Sequence, residues 1–426
     1  MILNFMACPL PNTGSRKGTL PMDEKKLLMV TVSGRDRPGI TAKLTQVLAE
    51  HRAEIVDIEQ ASLQNLLGLY LLLDLSNSGE SQDSVIKDLL FKASQMNLTL
   101  QFRLYTPEEV RAVNPPNLFV LTHFGGTEAM AALSKILAEE KVNIETISTG
   151  EHHGARSMEL VINVNGAPSL GRLKERVMRE SRKLGIDLAL QKMEAYRKNK
   201  RLICFDMDST LIDMEVIDEM ARRAGVYREV SRITEKAMRG DFDFEASLRQ
   251  RVAFLKGLRL EALREIREDM RLSAGVEELV TTLKWLGYKL GIVTGGFDYF
   301  ADHLRDKLGF DFAHANMLEI KNRTLTGRVL GEIVDASRKA RIVNQASCDL
   351  GILLDQIVVV GDGFNDALML GQAGLSIAYN AKTGLDRVAG ASLGKSRLSH
   401  IFHLLGITEE DISEALSCAS QEAVRE

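Results

Sequence analysis

The segment RLICFDMDSTL, residues 201–211, is the clearest indication of fold in the larger part of this chain. Its apolar run is typical of a buried parallel strand, and it ends in Asp206 and Asp208, where ligands of open α/β sheets bind. Alternate residues of a strand share a face, so both carboxylates can reach one pocket, one as nucleophile and one as proton carrier. Burying two negative charges is costly without a cation, so the pair predicts a hard divalent metal ion.

A second apolar strand ends in the segment GDGFND, residues 361–366. Gly361 and Gly363 permit a tight turn, and Asp362 and Asp366 can then face the same crevice as the first acidic pair. A lone pair of aspartates is about as often a solvated loop as a site. The second pair therefore strengthens the metal-site interpretation.

A third strand, LGIVTGGF at residues 290–297, ends in Thr294 followed by two glycines. A hydroxyl and exposed N–H groups at a strand-to-helix junction form a cradle for a phosphate group. Lys339, in the segment DASRKARI, is a candidate cation for a transferred phosphoryl group. By itself, a lysine in a charged helix is more often a solvated side chain.

The pattern from residue 200 onward predicts a doubly wound parallel α/β sheet over residues 200–406. The segments YKLGIVTGG, FDFAHANML and DQIVVVGDG are predicted strands, each followed by an amphipathic stretch. A long charged helical region, about 214–272, interrupts the sheet after its first strand and is predicted to be an inserted cap. The acidic segment after Glu409 is expected to be a solvated helix end.

Together these segments resemble the four motifs of the haloacid dehalogenase superfamily. DMDST is similar to its first motif, Thr294-Gly295 to its second, Lys339 to its third and GDGFND to its fourth. The four occur in the family's order between residues 206 and 366. The resemblance implies a phosphatase that forms an aspartyl-phosphate intermediate.

The resemblance also implies a role for each residue. Asp206 would attack phosphorus, and Asp208 would protonate the leaving oxygen and then deprotonate water. Mg²⁺ would be held by the Asp206 carboxylate, the Asp208 carbonyl oxygen and Asp362, with Asp366 supporting the site. The residues that would hold the phosphoryl oxygens are Thr294, Gly295, Lys339 and Asn365. This arrangement suits phosphoryl transfer, which requires mainly positioning and charge neutralisation.

A closer resemblance, over about residues 200–406, is to the phosphoserine phosphatase family. The segments that carry it are DSTLIDMEVIDEMA, DFEASLRQRVAFLKG, VTGGFDYF and GDGFNDALML. It implies O-phospho-L-serine as substrate, with Glu215 receiving the ammonium group, Arg251 pairing with the carboxylate, and Met238 and Phe244 forming an apolar wall. A zwitterion needs an anion and a cation at opposite ends, and the arginine fork suits a carboxylate.

Simpler interpretations exist for these residues and for the function. Arg251 can be a surface helix charge, and Glu215 can be an acid favoured at a helix N-terminus. The alternative functions are a phosphatase for phosphohomoserine, phosphothreonine or phosphoprotein, and an amino-acid sensor with a vestigial phosphatase half. The acid, hydroxyl, lysine and metal set is complete in this sequence, which speaks against the sensor.

The amino-terminal part contains the order β-α-β-β-α-β twice, over residues 25–112 and 117–192, with Pro115 and Pro116 at the joint. This order predicts two α+β ferredoxin-like domains. The segment SGRDRPGITAKL resembles the start of an ACT domain, a module that binds amino acids at paired interfaces. The second repeat lacks the Asp-x-Pro-Gly run, so a dimerising or scaffolding role is expected there.

The resemblance to ACT domains implies an amino-acid effector, with L-serine as the candidate, and a homodimer. The candidate effector residues are Asp36, Arg37, Pro38, Gly39 and Ile40 at the strand-to-helix turn, and Asp57 on the next strand. Gly39 and the helix N-terminus behind it offer N–H groups to a carboxylate, and Asp57 could receive an ammonium group. An ordinary Pro-Gly turn is the alternative.

The composition narrows the remaining function classes. The net charge of −4 over 426 residues gives no bulk attraction to nucleic acid or to a membrane surface. No stretch reaches the roughly 20 apolar residues of a membrane span. The four cysteines form no CxxC pair, which suits a reducing cytoplasm rather than a disulfide framework. Residues 1–24 are expected to be a disordered leader.

Overall fold

This computed structural model describes most of the chain in two compact units, residues 1–115 and 116–426. The described residues are 27–76, 82–110, 116–152, 155–238, 243–381, 385, 388–394 and 397–423. The predicted leader, 1–24, lies outside them. None of the described helices is long and apolar enough to cross a membrane.

The first unit is an antiparallel sheet covered by two helices. Its elements are β1 (Leu27–Arg35), α1 (Ile40–Glu50), β2 (Glu54–Leu63), β3 (Leu66–Asp74), α2 (Gln82–Gln95), β4 (Thr99–Tyr105) and α3 (Pro107–Val110). The strand order is β2-β3-β1-β4. Leu67, Leu69, Leu71 and Leu73 are buried at every second position of β3, which is the period of a strand with one covered face. The predicted ferredoxin-like order is present.

The second unit begins with the second repeat and continues into the larger α/β part. The elements of the repeat are β5 (Leu118–His123), α4 (Thr127–Glu139), β6 (Asn143–His152), β7 (Ala155–Asn163), α5 (Leu170–Leu184) and β8 (Leu188–Lys192). Its strands are in the order β8-β5-β7-β6, with α4 and α5 packed against each other.

The α/β part alternates strands with helices. Its strands are β9 (Leu202–Phe205), β10 (Lys289–Phe297), β11 (Phe312–Lys321), β12 (Thr324–Leu330), β13 (Ile357–Gly361), β14 (Leu375–Tyr379) and β15 (Ala391–Leu393). The helices that follow β9 are α6 (Val216–Arg223), α7 (Tyr227–Met238), α8 (Phe244–Phe254), α9 (Leu260–Asp269) and α10 (Val276–Trp285). The later helices are α11 (Asp298–Leu308), α12 (Ala336–Leu350), α13 (Ala367–Leu370), α14 (Ile401–Leu405) and α15 (Glu409–Ala423).

The strand β9 lies at the centre of a parallel sheet, between β10 and β13. Its four residues are fully buried because helices cover both faces, so the predicted doubly wound architecture is confirmed. Burial also raises the pKa of the Cys204 thiol to about 12, which marks it as an unreactive core residue. The helices α6–α9 form the insertion that the sequence predicts as a cap.

One seam joins the second repeat to the α/β part. The strand β15 pairs with β8 in antiparallel register, Ala391 opposite Ala189 and Ser392 opposite Leu188. Over the described residues, eleven strands thereby form one sheet, in the order β12-β11-β10-β9-β13-β14-β15-β8-β5-β7-β6. Asp187 reinforces the seam, because its carboxylate accepts from the Gly394 N–H at 2.6 Å.

Two local predictions were wrong. An amphipathic stretch was expected after FDFAHANML, but β11 continues into a hairpin with β12, because Asn322 and Arg323 adopt positive φ and form a two-residue turn. The acidic segment after Glu409 is not a solvated end. Helix α15 packs on α10 and buries Ile412 and Ala415.

Candidate active site

Three carboxylates meet at the carboxyl ends of β9 and β13. Asp206 directly follows β9, and Asp362 and Asp366 follow β13. Because these strands are adjacent and parallel, one carboxylate oxygen of each residue lies within 4.8 Å of the others. All three residues are buried. The convergence predicted from the sequence is therefore present.

Lys339 supplies a positive charge to this cluster. Its Nζ lies 2.7 Å from Asp366 Oδ1 and 2.9 Å from Asp206 Oδ1. Asp335 caps α12 by accepting from the Arg338 N–H, which fixes the helix turn that carries Lys339. Burial alone would lower the pKa of Lys339, but the charges of Asp206 and Asp366 raise it above its ordinary value. The ammonium is therefore charged at neutral pH.

Asp208 lies beside the cluster, where its surroundings favour the protonated carboxyl. Loss of solvent around the carboxyl, with the charges of Glu215 and Asp206, raises its pKa well above the ordinary value. Its Oδ1 is buried and has no hydrogen-bond partner among the described residues. A carboxyl whose surroundings favour the protonated form is suited to act as a general acid.

Thr294 and the glycines after it form a tight turn beside Asp208. The Gly296 N–H donates to Thr294 Oγ1 at 2.9 Å, which leaves the hydroxyl proton free to donate elsewhere. A Cβ on Gly296 would lie 2.8 Å from Met207 Cε and 3.1 Å from Asp208 Oδ2. A side chain at this position would have to displace Met207 and would crowd Asp208, because the turn packs directly against the first motif.

Four residues of the predicted cap are expected to contact the part of the substrate beyond the phosphoryl group, and the structure describes the side chains of three of them. Phe244 covers the turn, since its Cζ is 3.3 Å from the Cβ position of Gly295. Glu215 precedes α6 and accepts a 2.9 Å hydrogen bond from Ser209 Oγ. Burial lowers the pKa of Arg251, whereas Asp218 and Glu215 are near enough to raise it. Met238 ends α7, and its side chain lies outside the described part.

Asn365 is the remaining predicted phosphate-binding residue. It lies in the turn between Asp362 and Asp366, and its Nδ2 donates to Asp366 Oδ1 at 3.4 Å. The long distance makes this a weak bond, so the amide can turn toward another acceptor. The structure places Asn365 at the rim of the cluster.

The matches with known proteins agree with this geometry. Residues 200–374 match the haloacid dehalogenase-like hydrolase family, and residues 26–103 match the ACT domain family. Phosphoserine phosphatase from Streptomyces coelicolor is 38% identical over 91% of this chain and 94% of its own length. Phosphoserine phosphatase SerB2 from Mycobacterium tuberculosis is 36% identical over 92% of this chain and 96% of its own length. This chain belongs to the phosphoserine phosphatase family.

Solved structures support the same family. A haloacid dehalogenase family hydrolase from Salmonella enterica serovar Typhi aligns with a TM-score of 0.60 at 25% identity, over 67% of this chain and 98% of that chain. A probable phosphoserine phosphatase from Vibrio cholerae aligns with a TM-score of 0.53 at 30% identity, over 72% and 93%. As a phosphoserine phosphatase family member, the chain has a hydrolase domain preceded by an ACT domain.

The donor set of this family member fits a hard divalent cation such as Mg²⁺. Asp206, Asp362 and Asp366 offer only carboxylate oxygens, which Mg²⁺ prefers. Four acidic residues, with Asp208, face a single lysine, Lys339, in the cluster. The pKa of Asp366 is raised to about 6 by burial and by Asp206, even though Lys339 lowers it. A cation at this point would relieve that repulsion.

The sequence analysis missed two polar residues that hold the predicted ones. Ser209 adopts a positive φ of 58° and donates to Glu215, so it orients the predicted ammonium receptor. Asn316 bonds the backbone of the Thr294 turn. The position of Ser209 directly after the DMD segment was a usable signal. Asn316 could be seen in the sequence only as a polar residue within a predicted strand.

The first unit contains an open groove at its predicted effector turn. Its volume is about 500 Å³, and its lining includes Asp36, Arg37, Pro38, Gly39 and Ile40, with Gln60 and Asn65 opposite. Gly39 has a φ of 92°, which favours glycine. Asp57 does not line this groove, and its Oδ1 instead accepts from the Ile58 N–H on β2. The structure therefore brings together the predicted turn but not Asp57.

Proposed function

We propose that this chain hydrolyses O-phospho-L-serine to L-serine and phosphate in a magnesium-dependent reaction. The observation that carries the proposal is the buried cluster of Asp206, Asp362, Asp366 and Lys339, with the Thr294 turn beside it. The names of the relatives support the same reaction. Forming serine from its phosphate ester is a biosynthetic step.

In the first step, Asp206 acts as nucleophile. A carboxylate oxygen of Asp206 forms a bond to phosphorus while the bond from phosphorus to the seryl oxygen breaks. Asp208, whose raised pKa favours the protonated form, donates a proton to the leaving seryl oxygen. Lys339 and the Thr294 hydroxyl bind the phosphoryl oxygens and neutralise their charge.

In the second step, water cleaves the aspartyl phosphate. Asp208, now ionised, accepts a proton from the water, and the water oxygen bonds to phosphorus. The bond from phosphorus to the Asp206 oxygen breaks, which restores both carboxyl groups and releases phosphate. Asp206, Asp362 and the Asp208 carbonyl oxygen would hold Mg²⁺, with Asp366 in support, and the bound ion would supply positive charge that stabilises the phosphoryl oxygens.

The other end of the substrate would lie under the cap. Glu215 would receive the ammonium group, Arg251 the carboxylate, and Phe244 and Met238 would cover the apolar part. The support is that Glu215 and Arg251 are near enough to influence each other electrostatically, so a small zwitterion can lie between them. An ester without an ammonium group would offer Glu215 no positive charge on the substrate, which would weaken the binding of that ester.

A steady-state assay tests this proposal. Release of phosphate from phosphoserine, phosphothreonine, phosphohomoserine and a phosphopeptide is compared in Mg²⁺ and in chelator. We expect the highest kcat/KM on phosphoserine and loss of turnover in chelator. A higher kcat/KM on phosphothreonine, phosphohomoserine or the phosphopeptide would refute the substrate assignment, and undiminished turnover in chelator would refute the metal dependence.

We further propose that L-serine binds the groove of the first unit and that the chain forms a homodimer. Every residue of the edge strand β2 is exposed, including Ile55, Val56 and Ile58, so β2 offers an apolar edge to a second copy. Calorimetry of L-serine binding to the full chain and to Asp36→Ala tests the groove. Sedimentation of Ile58→Lys tests the edge, and a variant that remains a dimer would refute that surface.

A further inference from the structure

Asn316 links two parts of the catalytic edge through a single buried amide. It lies on β11 and is 1% exposed. Its Nδ2 donates to the Gly295 carbonyl oxygen at 2.8 Å, and its Oδ1 accepts from the Val334 N–H at 2.8 Å. Val334 directly precedes Asp335, the N-cap of the helix that carries Lys339. The amide therefore joins the phosphate turn to the start of α12.

The register of the sheet shows why the turn needs this partner. Val293 on β10 lies opposite His314 on β11, and Phe297 lies opposite Asn316. Between these two pairs, β10 advances by four residues and β11 by only two. The residues of β10 between Val293 and Phe297 therefore do not pair regularly with β11. Buried backbone groups outside a ladder must bond elsewhere. The Asn316 side chain takes the place of the missing strand partner.

This bond also fixes the orientation of one peptide. The carbonyl and the N–H of a trans peptide point in opposite directions. The Gly295 carbonyl points to Asn316, and the N–H of the same peptide, on Gly296, points to Thr294 Oγ1. Glycines on both sides make a flip of this peptide sterically easy. After a flip, a carbonyl oxygen would face Thr294 and would repel the oxygens of a phosphoryl group.

We infer that Asn316 is a positioning residue, which holds the Gly295–Gly296 peptide in the orientation that phosphoryl binding requires. It also holds this turn in register with the helix that presents Lys339. The inference rests on the proposed phosphatase function. Asn316 itself contacts Gly295 and Val334, not the reacting groups.

Two substitutions and a matched control test the inference. Asn316→Asp keeps the shape and an acceptor for Val334 but places a carboxylate against the Gly295 carbonyl, which favours the flipped peptide. Asn316→Ala removes both bonds without adding a charge. Asn344→Asp makes the same chemical change on α12, where the Asn344 amide donates to Gln372 Oε1 at 2.7 Å. The readouts are kcat/KM on phosphoserine and on p-nitrophenyl phosphate, and the inhibition constant of orthovanadate.

We expect kcat/KM to decrease from the wild type to Asn316→Ala and further to Asn316→Asp. A small misplacement at a reacting centre lowers the rate about 10²-fold, which is the decrease in kcat/KM expected for Asn316→Asp; for Asn316→Ala we expect a decrease of about tenfold. The decrease should be similar for both esters, because the defect lies at the phosphoryl group that they share. Orthovanadate should bind more weakly in parallel, and Asn344→Asp should match the wild type.

Three results would overturn the inference: Asn316→Asp as active as Asn316→Ala, an equal loss in Asn344→Asp, or reduced turnover with unchanged orthovanadate inhibition. If Asn316→Asp does not fold, the inhibition constant of orthovanadate for Asn316→Ala tests the inference instead, and an unchanged constant with reduced turnover would overturn it. A wild type that hydrolyses only p-nitrophenyl phosphate would refute the proposed substrate while still testing Asn316. A wild type that hydrolyses neither ester would refute both.

Discussion

Replacing Asp366 by asparagine should make the metal-free protein more stable. Asp366 is fully buried, and burial together with Asp206 raises the pKa of its carboxyl to about 6. An aspartate in an unfolded chain has a pKa of about 4, so the two states differ by about 2 in pKa. Each pKa unit corresponds to about 1.4 kcal/mol, so the ionised carboxylate destabilises the fold by about 3 kcal/mol at pH 7.

The sign of the pH dependence follows from this raised pKa. The folded state holds the Asp366 proton more tightly, so stability is lost as the pH rises from about 4 to about 6 and stays lost above. Asparagine removes the charge but has one acceptor, whereas the two carboxylate oxygens accept from Lys339 and from the Gly363 N–H. The lost bond costs about 1 kcal/mol, so a net gain of about 2 kcal/mol is expected at pH 7.

Thermal unfolding of the full chain in chelator measures this gain. The only tryptophan, Trp285, lies on α10 and reports on the α/β part. A gain of about 2 kcal/mol corresponds to a rise in Tm of roughly 4–8 °C. At pH 5 about half of the charge penalty remains, so the gain should nearly vanish. Asp349→Asn, on the exposed side of α12, is the control and should leave the Tm unchanged.

A lower Tm for Asp366→Asn at pH 7, or the same gain at pH 5 and pH 7, would refute the reasoning. Added Mg²⁺ should reverse the order of stability, because the wild type offers the metal a third ionised carboxylate, at position 366, beside those of Asp206 and Asp362. Turnover of the variant should be lower than that of the wild type at every pH. Asp366 would then be a residue that activity requires although it lowers the stability of the fold.

Three further predictions concern turnover. Asp206→Asn should lower kcat by at least about 10⁴-fold while the fold stays intact, and phosphate release at the wild-type rate would contradict the covalent mechanism. Arg251→Lys should raise the KM for phosphoserine by about tenfold and leave p-nitrophenyl phosphate hydrolysis unchanged, because lysine lacks the bidentate fork; equal effects on both esters would exclude carboxylate recognition. Gly296→Ala should lower kcat by about 10²-fold, since its Cβ would meet Met207 and Asp208, and a kcat within twofold of the wild type would show that the turn can move.

The convergence of the acidic residues could be predicted from the sequence because Asp206 and Asp362 each follow a buried strand. Asp206 and Asp362 follow apolar runs, and the carboxyl ends of adjacent parallel strands meet at one edge. Lys339 was harder, since a lysine in a charged helix is usually solvated. Its assignment depended on the resemblance to a family, and the structure places it 2.9 Å from Asp206.

Contacts that depend on strand register could not be predicted. Asn316 bonds Gly295 only because β10 and β11 lose register between Val293 and Phe297. The hairpin after β11 has Asn322 and Arg323 in its turn, without the glycine that usually signals such a loop. The strand β15 has only three residues, too few for a periodic pattern.

The pairing of β15 with β8 has a consequence for how the polypeptide can be divided. If the chain were cut between the second repeat and the hydrolase core, β15 would lose its pairing with β8 and would become an edge strand. Its N–H and C=O groups on that side would have no strand partner, although its residues are largely buried in the full chain. An unpaired edge strand of this kind promotes association with other chains. A fragment that starts near residue 200 should therefore precipitate or self-associate, whereas a fragment that starts at residue 116 keeps β8 paired with β15.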